Sequence, residues 1–548
     1  MTPSVQETDV LISGCGPVGA LTANLLGQHG IRTLVLEREP AHHGQPRAIT
    51  CDDEALRIYQ SAGFAEAMDA HMYTCPEVEL VGASGELFAR LGIQETDFGN
   101  GYPALRFFSQ PYVERVLRQG VARFPHVELR LGQQVEGYTQ DAQGLTVTIR
   151  DVRHGTEHTV RARYLLACDG GRSTLRRLAG IDMVGSTYDE GMVAVSLLLP
   201  EEPPAVCRMV CDPHRHVFVT RCAGNELRVE YMIREDEKAE DMIRPERIRE
   251  FISPYVDPDR VTVLRAAPYI FNRRVASRWS DGRMFLLGDA AHLMPPVLGQ
   301  GLCSGLRDAA NLSWKLAAVL HGHADESLLD TYELERRPHA EAMLQASVNM
   351  GRLVLTGSRP LAFLRDRVFQ AIDRIPRVHR FIRNLEFKPR PLISRGFILG
   401  ESRGHRNAPE GTYFPQPWVE GPDGRVLLDE LLGPGFAVLV HPDTQEASAR
   451  AAQVLADSLG ARCLRFRAPR SSKVRPGEVV DSEGALEAWF QQHQVDIAVL
   501  RPDRYLFGAV RGTHLAWLAS ALRRRVHGPL RFVEPLPAPL SGASSSAG

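Results

Sequence analysis

A glycine pattern near the N-terminus has the residue types that bind a dinucleotide. Gly14, Gly16 and Gly19 lie between an apolar run at residues 9–13 and a helical pattern at residues 20–29. The first glycine permits a tight turn, the second lets the backbone approach a pyrophosphate, and the third lets the helix pack close to the strand. The free N–H groups at the start of that helix would face the phosphates. The spacing therefore predicts a nucleotide-binding turn.

An acidic residue follows the second predicted strand. The run at residues 33–36 is largely apolar and ends at Glu37. This is the spacing at which a carboxylate binds the two hydroxyl groups of an adenosine ribose. A plain surface acid is the alternative for Glu37. A Rossmann start of this kind does not by itself distinguish NAD from FAD.

Two later segments, each containing an apolar run, complete a pattern that identifies the cofactor. Residues 164–170 with Ser173 resemble the second signature of class A flavoprotein monooxygenases, the p-hydroxybenzoate hydroxylase-like group. Residues 284–292, with the prolines and glycines at 295–301, resemble the third signature. The resemblance implies a Rossmann-like domain that binds FAD tightly and without a covalent bond.

The residues within these signatures suit contacts with FAD. Asp169 and Asp289 each follow a strand-like run, where a carboxylate can accept a hydrogen bond from a ribityl hydroxyl. Helix capping is the alternative for both carboxylates. Gly299 and Gly301 open the next helix, whose N–H groups would face the flavin pyrimidine edge and stabilise the anionic reduced ring.

The resemblance also implies two contacts outside the signatures. In the family, an arginine at the position of Arg47 contacts FAD, and a glutamine like Gln110 lies beside the ribityl chain. A solvated loop arginine is the alternative for Arg47. The predicted cofactor-binding residues are Gly14, Gly16, Gly19, Glu37, Arg47, Gln110, Asp169, Gly288, Asp289, Gly299, Gly301 and Leu302.

Further motifs resemble a narrower group, the 3-(3-hydroxyphenyl)propionate and 3-hydroxycinnamate hydroxylases, along almost the whole chain. They lie at residues 46–57, 110–111, 211–213, 328–337 and 501–505. This resemblance implies an enzyme that uses NADH, or alternatively NADPH, and O2 to hydroxylate a meta-substituted phenol ortho to its hydroxyl, giving a catechol. A hydroxylase of a polyketide or other bulky phenol is the first alternative. A non-catalytic flavin-binding scaffold is the second.

The catalytic candidates are few because reduced flavin carries the oxygen chemistry. The protein contributes placement, exclusion of water and electrostatics that favour a phenolate, and no metal site is expected. Pro295 and His292 are the candidates, with a rigid turn and a structural hydrogen bond as their respective alternatives. Pro296 would border the ring pocket. Any of three strand arginines could bind a substrate carboxylate, unless they face solvent or form salt bridges: Arg208, Arg221 and Arg228.

Composition limits the class of protein that positions these residues. A chain of 548 residues predicts two or three domains. A net charge of -2 does not indicate the basic surface that binds nucleic acid. No apolar run is long enough for a membrane span. Nine scattered cysteines without a CxxC pair predict reduced thiols in a cytoplasmic protein.

The element pattern predicts an α/β protein with three parts. A Rossmann-like FAD-binding domain carries an inserted antiparallel-sheet substrate domain, and the C-terminal part resembles the thioredoxin-like domain of related hydroxylases. Without a CxxC pair, that last domain is expected to serve packing or formation of a homodimer. The predicted boundaries are 1–75, 109–181 and 275–388 for the FAD-binding domain with a helical extension, 76–108 and 182–274 for the substrate domain, 389–424 for a linker, 425–535 for the C-terminal domain and 536–548 for a disordered tail.

Overall fold

The computed structural model describes residues 6–41, 48–205, 207–372, 375–400, 409–467 and 477–534, apart from the side chains of residues 188–190. Arg47 and the predicted tail at 536–548 lie outside the described residues. The strands are β1 Gln6–Ser13, β2 Thr33–Glu37, β3 Thr50–Asp52, β4 Met72–Tyr73, β5 Glu77–Val81, β6 Leu87–Gly92, β7 Leu105–Phe108, β8 Val127–Leu131, β9 Gln133–Gln140, β10 Leu145–Asp151, β11 Glu157–Ala167, β12 Met183–Leu198, β13 Cys207–Val210, β14 Val217–Arg221, β15 Glu226–Ile233, β16 Thr262–Ala276, β17 Ser280–Asp281, β18 Met284–Leu286, β19 His292–Leu293, β20 Trp418–Gly421, β21 Gly424–Leu427, β22 Ala437–Val440, β23 Arg462–Arg467, β24 Glu478–Val480, β25 Ile497–Leu500 and β26 Leu506–Val510.

The α-helices cover the sheets and connect their strands. They are α1 Pro17–Gln28, α2 Asp53–Ser61, α3 Ala65–Asp69, α4 Gln110–Val121, α5 Thr174–Leu178, α6 Ala239–Met242, α7 Pro245–Ile252, α8 Gln300–Leu320, α9 Thr331–Val354, α10 Arg359–Ile372, α11 Pro376–Arg383, α12 Leu428–Leu432, α13 Glu446–Leu459, α14 Ala485–His493 and α15 Leu515–Arg523. Within the described part of the chain, every helix is too short or too polar to cross a lipid bilayer.

The first sheet brings the three predicted signatures to one edge. Its main path is β17-β18-β11-β1-β2-β8, and β1 runs parallel to both β11 and β2. Strand β18 runs parallel to β11 as well. The centre of β1 is fully buried, because a parallel sheet is covered on both faces, and this explains its continuous apolar run. The carboxyl ends of β1, β2, β11 and β18 therefore lie side by side.

The second sheet is antiparallel except where β13 runs parallel to β5, in the order β19-β16-β12-β15-β14-β13-β5-β6. One face carries Val195, Val229 and Tyr231 and packs on α6 and α7. The alternate residues point to the other face, toward the FAD-binding part. The predicted α/β class, with a parallel sheet and a separate, largely antiparallel one, is confirmed.

The third sheet forms the C-terminal part, in the order β21-β20-β24-β23-β22-β25-β26. Strand β20 belongs to it, although the proline and glycine content had placed those residues in the predicted linker. Val419 of β20 is fully buried, because the strand pairs with both β21 and β24. Three short strands, β3, β7 and β4, form a fourth sheet beside the FAD-binding part.

Candidate functional site

The glycine turn after β1 excludes side chains at two of its glycines and is open at the third. Gly14 has φ of +98°, and a Cβ there would collide with the carbonyl of Cys168. A Cβ on Gly19 would collide with the carbonyl of Gly14. A Cβ on Gly16 would meet no heavy atom within 4 Å, so a ligand can approach the backbone at that point.

The carboxylate of Glu37 ties the end of β2 to this turn. It accepts hydrogen bonds from the backbone N–H of Cys15 at 2.8 Å and of Glu39 at 3.1 Å. The guanidinium of Arg118, on α4, lies 3.8 Å away and itself donates to the Cys15 carbonyl at 2.8 Å. Glu37 is therefore no free surface acid, and it holds the turn in place from the neighbouring strand.

Asp169 caps a helix with one oxygen and leaves the other unpaired. Its Oδ2 accepts from the N–H groups of Thr174 at 2.8 Å and Leu175 at 3.2 Å, at the start of α5. Its Oδ1 is buried and has no hydrogen-bond partner among the described residues. Burial raises the pKa of this carboxyl above its usual value. The unpaired oxygen is an acceptor suited to a ligand hydroxyl.

The third signature forms two short 3₁₀ turns that lead into α8. Asp289 lies within the turn Gly288–Ala290 and is partly exposed, and Leu287 occupies the N-cap position of that turn. Gly299, with φ of +64°, is the N-cap of α8. A Cβ on Gly301 would meet nothing within 4 Å, which leaves the first turn of α8 open beside the half-buried Leu302.

His292 is fully buried and takes part in a structural cluster. Its Nε2 lies 2.7 Å from Oδ2 of Asp308, and the same oxygen accepts from the Gly288 N–H at 3.1 Å. Arg336 donates to the other oxygen of Asp308 at 3.0 Å. Burial opposes ionisation, but the contacts with His292 and Arg336 hold the pKa of the Asp308 carboxyl below its usual value. This geometry favours the structural alternative for His292.

Gln110 begins α4 and connects it to the segment that precedes β3. Its Oε1 accepts from the Ala48 N–H at 2.6 Å, and its Nε2 donates to Glu114 at 2.6 Å. Pro295 has an extended backbone and precedes the turn that Pro296 begins, so both prolines lie next to the Gly299 cap. A cavity of about 360 Å³ opens between the start of α4 and the hairpin of β14 and β15, lined by Ser109, Pro111 and Glu226 among others.

Each of the three predicted substrate-binding arginines already has a partner. Arg208 is partly exposed and forms an ion pair with Glu79 at 2.6 Å. Arg221 pairs with Glu202 and lies 4.2 Å above the Tyr73 ring. Arg228 is buried and forms an ion pair with Glu230 at 2.9 Å. The structure does not bring the three together, and the salt-bridge alternative fits their geometry.

Comparison with known proteins identifies the family. The family described as FAD binding domain matches residues 7–347, well over half of the chain. The chain belongs to this FAD-binding family. A second family, described as HcaD C-terminal domain, matches residues 411–525 of this chain.

Hydroxylases are among the relatives of this FAD-binding protein. It is 37% identical to 3-(3-hydroxy-phenyl)propionate/3-hydroxycinnamic acid hydroxylase 2 of Burkholderia vietnamiensis, with 94% of this chain and 96% of the relative covered. The flavin-dependent monooxygenase PieE, solved with FAD and substrate, has the same fold, with a TM-score of 0.79 at 24% identity, covering 95% of this chain and 99% of PieE. OxyS anhydrotetracycline hydroxylase from Streptomyces rimosus is similar as well, with a TM-score of 0.72 at 26% identity. The match covers 95% of this chain and 99% of OxyS. The predicted family resemblance and the cofactor FAD are confirmed.

The geometry around the strand ends fits FAD. The unpaired Oδ1 of Asp169 is a buried acceptor beside the glycine turn, where a polyol could donate a hydrogen bond. The open sides of Gly16 and Gly301 let a ligand approach the backbone at the starts of α1 and α8. Helix starts present free N–H groups, which suits a pyrophosphate and an anionic ring.

A buried charge cluster beside the FAD site could not be assigned from sequence. Asp52 caps α2, with the Ala55 N–H donating to its Oδ1 at 3.0 Å. Arg307 of α8 binds Asp52 and also Glu54, the latter at 2.6 Å. Lys388 approaches Asp52 to 2.9 Å. Three consecutive acids at a helix start were the available signal, but their partners lie hundreds of residues away.

Two further residues, on the face of the second sheet that points away from α6 and α7, were not identified from the sequence. Glu230 accepts from Arg228 at 2.9 Å and also from the hydroxyl of Tyr269. The alternation of charged residues along β15 could have indicated that they share one face. The tyrosine, on β16, gave no local signal.

Proposed function

We propose that this chain hydroxylates 3-(3-hydroxyphenyl)propionate or 3-hydroxycinnamate ortho to the phenolic hydroxyl, with NADH and O2, to give a catechol. The observation that carries the proposal is the 37% identity to a hydroxylase of that name across 94% of the chain. Bound FAD, once reduced, supplies the activation of oxygen. The chain itself binds the phenol, orients it and excludes water.

FAD is held, in this proposal, by the three segments at the carboxyl ends of the parallel strands. Asp169 accepts from the ribityl chain through its unpaired Oδ1, and Glu37 serves the adenosine ribose from the end of β2. Gly14, Gly16 and Gly19 admit the pyrophosphate. The remaining members are Arg47, Gln110, Gly288, Asp289, Gly299, Gly301 and Leu302. The proposed substrate pocket adjoins Pro295 and Pro296 and faces the second sheet.

Substrate-stimulated NADH oxidation by the purified FAD-loaded protein tests the function. A panel of 3-(3-hydroxyphenyl)propionate, 3-hydroxycinnamate, the corresponding para isomers and bulky polycyclic phenols is incubated with NADH, and the products are analysed by mass spectrometry. The proposal expects a gain of one oxygen atom on the two meta-substituted substrates. Bound FAD with no stimulation by any phenol would instead support the scaffold alternative. Parallel assays with NADPH test the choice of reductant.

A bulky-phenol hydroxylase is the second candidate function. It is favoured by the 26% identity to OxyS anhydrotetracycline hydroxylase over 95% of the chain. Turnover of a polycyclic phenol in the panel, without turnover of the phenylpropanoids, would select it.

The C-terminal part carries a structural proposal as well. A thioredoxin-like arrangement is supported by β22 and β23 running parallel, with β25 antiparallel to β22 and β26 antiparallel to β25. No CxxC pair accompanies it, so a packing or dimer-forming role is proposed. Sedimentation equilibrium of the full chain measures whether a homodimer forms.

A further inference from the structure

Helix α10 buries charged side chains and exposes apolar ones, the reverse of an ordinary surface helix. Its buried residues are Ala362, Arg365 and Asp366, and the last two form an ion pair at 2.8 Å. Four large apolar side chains of the helix are between 44% and 64% exposed: Leu361, Phe363, Leu364 and Val368. Three of them are spaced by three and four residues, so they lie on one side of the helix. An exposed apolar face of this kind marks a site of contact with a partner or a membrane.

Helix α11 adjoins α10 on the same strand. The ring of Phe369, on α10, lies 5.7 Å from that of Phe88 on β6. Farther along β6, a Cβ on Gly92 would contact the side chain of Arg383 on α11. Both helices therefore cover β6 and leave their outer sides free of it. On α11, the exposed residues Arg377, Arg380 and Phe381 follow one another at the spacing of a single helix side.

The exposed charges of this region are all positive. Within the described part of residues 352–383, every exposed charged side chain is an arginine: Arg352, Arg359, Arg367, Arg377 and Arg380. The carboxylate that the structure describes in this stretch, Asp366, is buried. On neighbouring elements, Glu86 interacts electrostatically with Arg367, and Glu95 pairs with Arg383. Because the whole chain has a net charge of -2, this local excess of cations does not follow from its composition.

The charge of this surface favours an anionic lipid bilayer over a second copy of the chain. Two copies related by a twofold axis would bring the same arginines into one contact, where like charges repel. Anionic lipid supplies the opposite charge in its headgroups and an apolar layer beneath them. Leucine and phenylalanine side chains bordered by basic residues are typical of helices that lie in the plane of such an interface.

We propose that α10 and α11 form a peripheral membrane-binding surface that docks the protein on anionic lipid. Phe363, Leu364 and Phe381 enter the boundary between headgroups and acyl chains, and Arg377 and Arg380 contact the headgroup phosphates. The contact is non-covalent and reversible. This inference goes beyond the proposed hydroxylation and does not depend on it, because none of these residues belongs to the proposed FAD site or substrate pocket.

Co-sedimentation of the FAD-loaded full chain with lipid vesicles tests the proposal. Vesicles of phosphatidylcholine mixed with phosphatidylglycerol are compared with vesicles of phosphatidylcholine alone, each at low and at physiological salt. We expect binding to the anionic vesicles only, and weaker binding at the higher salt because ions screen the arginines. Binding to neither kind of vesicle, or equal binding to both, would overturn the inference.

Two double variants separate the apolar from the electrostatic contribution. One combines Phe363→Ser with Leu364→Ser, and the other combines Arg377→Gln with Arg380→Gln. Each should lower the affinity for anionic vesicles about tenfold or more. The serine variant should keep the salt dependence of the remaining binding, whereas the glutamine variant should lose most of it. Because all four side chains are exposed, FAD content and the thermal midpoint should not change.

Matched controls change similar side chains elsewhere on the surface. Val454→Ser alters a valine of α13 that is 61% exposed. Arg244→Gln combined with Arg249→Gln removes two exposed positive charges at the start of α7 and within it. Both controls should bind anionic vesicles like the unaltered protein.

Sedimentation velocity of the serine variant tests the other occupant. We expect its oligomeric state to match that of the unaltered protein while its vesicle binding falls. A change from dimer to monomer with unchanged vesicle binding would assign this face to a second copy of the chain and overturn the inference.

Discussion

The two oxygens of Asp169 illustrate how one side chain serves both fold and ligand. Oδ2 satisfies two backbone N–H groups at the start of α5, and Oδ1 is buried without a partner among the described residues. A buried acceptor without a hydrogen bond costs about 1–3 kcal/mol, which a donated ligand hydroxyl would offset. The capping and cofactor-binding interpretations of Asp169 are therefore compatible.

Asp169→Asn should weaken FAD binding while leaving the fold intact. An asparagine can keep its oxygen toward Thr174 and Leu175, but it then presents an amide nitrogen, a donor, where the ligand requires an acceptor. The dissociation constant of FAD should rise about tenfold, corresponding to roughly 1–2 kcal/mol. Titration of the FAD-free protein by quenching of flavin fluorescence measures this change.

Asp481→Asn provides the control for this substitution. Asp481 is also buried and caps α14 by accepting from Ala485 at 3.1 Å and Glu487 at 2.9 Å, in the C-terminal part. Its substitution should leave the affinity for FAD unchanged. Equal affinities of Asp169→Asn and the unaltered protein would remove Asp169 from the FAD site.

At the scale of elements, local patterns were predictable and pairings between distant segments were not. The turn from β1 to α1 follows from an apolar run and three glycines within 14 residues of chain, so sequence predicted it. β20 was missed because its proline-rich surroundings indicate a linker, and only pairing with β24 buries Val419. Likewise, the partners Arg307 and Lys388 of the α2 acids come from other parts of the chain.

The end of α1 gives a prediction on pH. His29 is buried at the C-cap, where its Nδ1 lies 3.2 Å from the Arg531 carbonyl and its ring lies 4.6 Å from that of Phe532. Burial lowers the pKa of His29 from its ordinary value of 6.5 to about 4. Between these values the unfolded chain binds a proton that the folded protein does not. The neutral His29 therefore contributes fully to the free energy of unfolding above pH 6.5, and this contribution is lost as the pH falls toward 4.

His29→Gln should therefore remove part of the acid sensitivity of the fold. On the order of 3 kcal/mol of the free energy of unfolding should depend on this group across that range. Urea unfolding at pH 7.5 and at about pH 5 measures the difference for both proteins. His154→Gln, at a histidine whose side chain is 73% exposed, should keep the pH dependence of the unaltered protein. Identical pH dependence in His29→Gln would contradict the assignment.

At the scale of the whole molecule, buried ion pairs join the C-terminal part to the FAD-binding part. Glu335 of α9 binds both Lys315 of α8 and Arg501 of the C-terminal part, each at 2.7 Å, with all three side chains fully buried. Arg57 of α2 forms a two-pronged pair with Asp429 at 2.7 and 2.9 Å. Such pairs contribute little net stability, but removing one partner leaves a buried charge unbalanced.

Glu335→Gln should uncouple the two parts. Burial opposes ionisation of Glu335, but Arg501 and Lys315 hold its pKa well below the usual value, so the substitution removes a full negative charge between two buried cations. We expect a loss of about 3–5 kcal/mol and a thermal profile that splits, with the C-terminal part melting before flavin is released. Calorimetry with flavin fluorescence in parallel measures both events. Glu341→Gln, on the same helix but at the 2.9 Å surface pair with Arg337, should cost less than about 1 kcal/mol. A single transition at the unaltered temperature in Glu335→Gln would show that the two parts are held together by apolar packing instead.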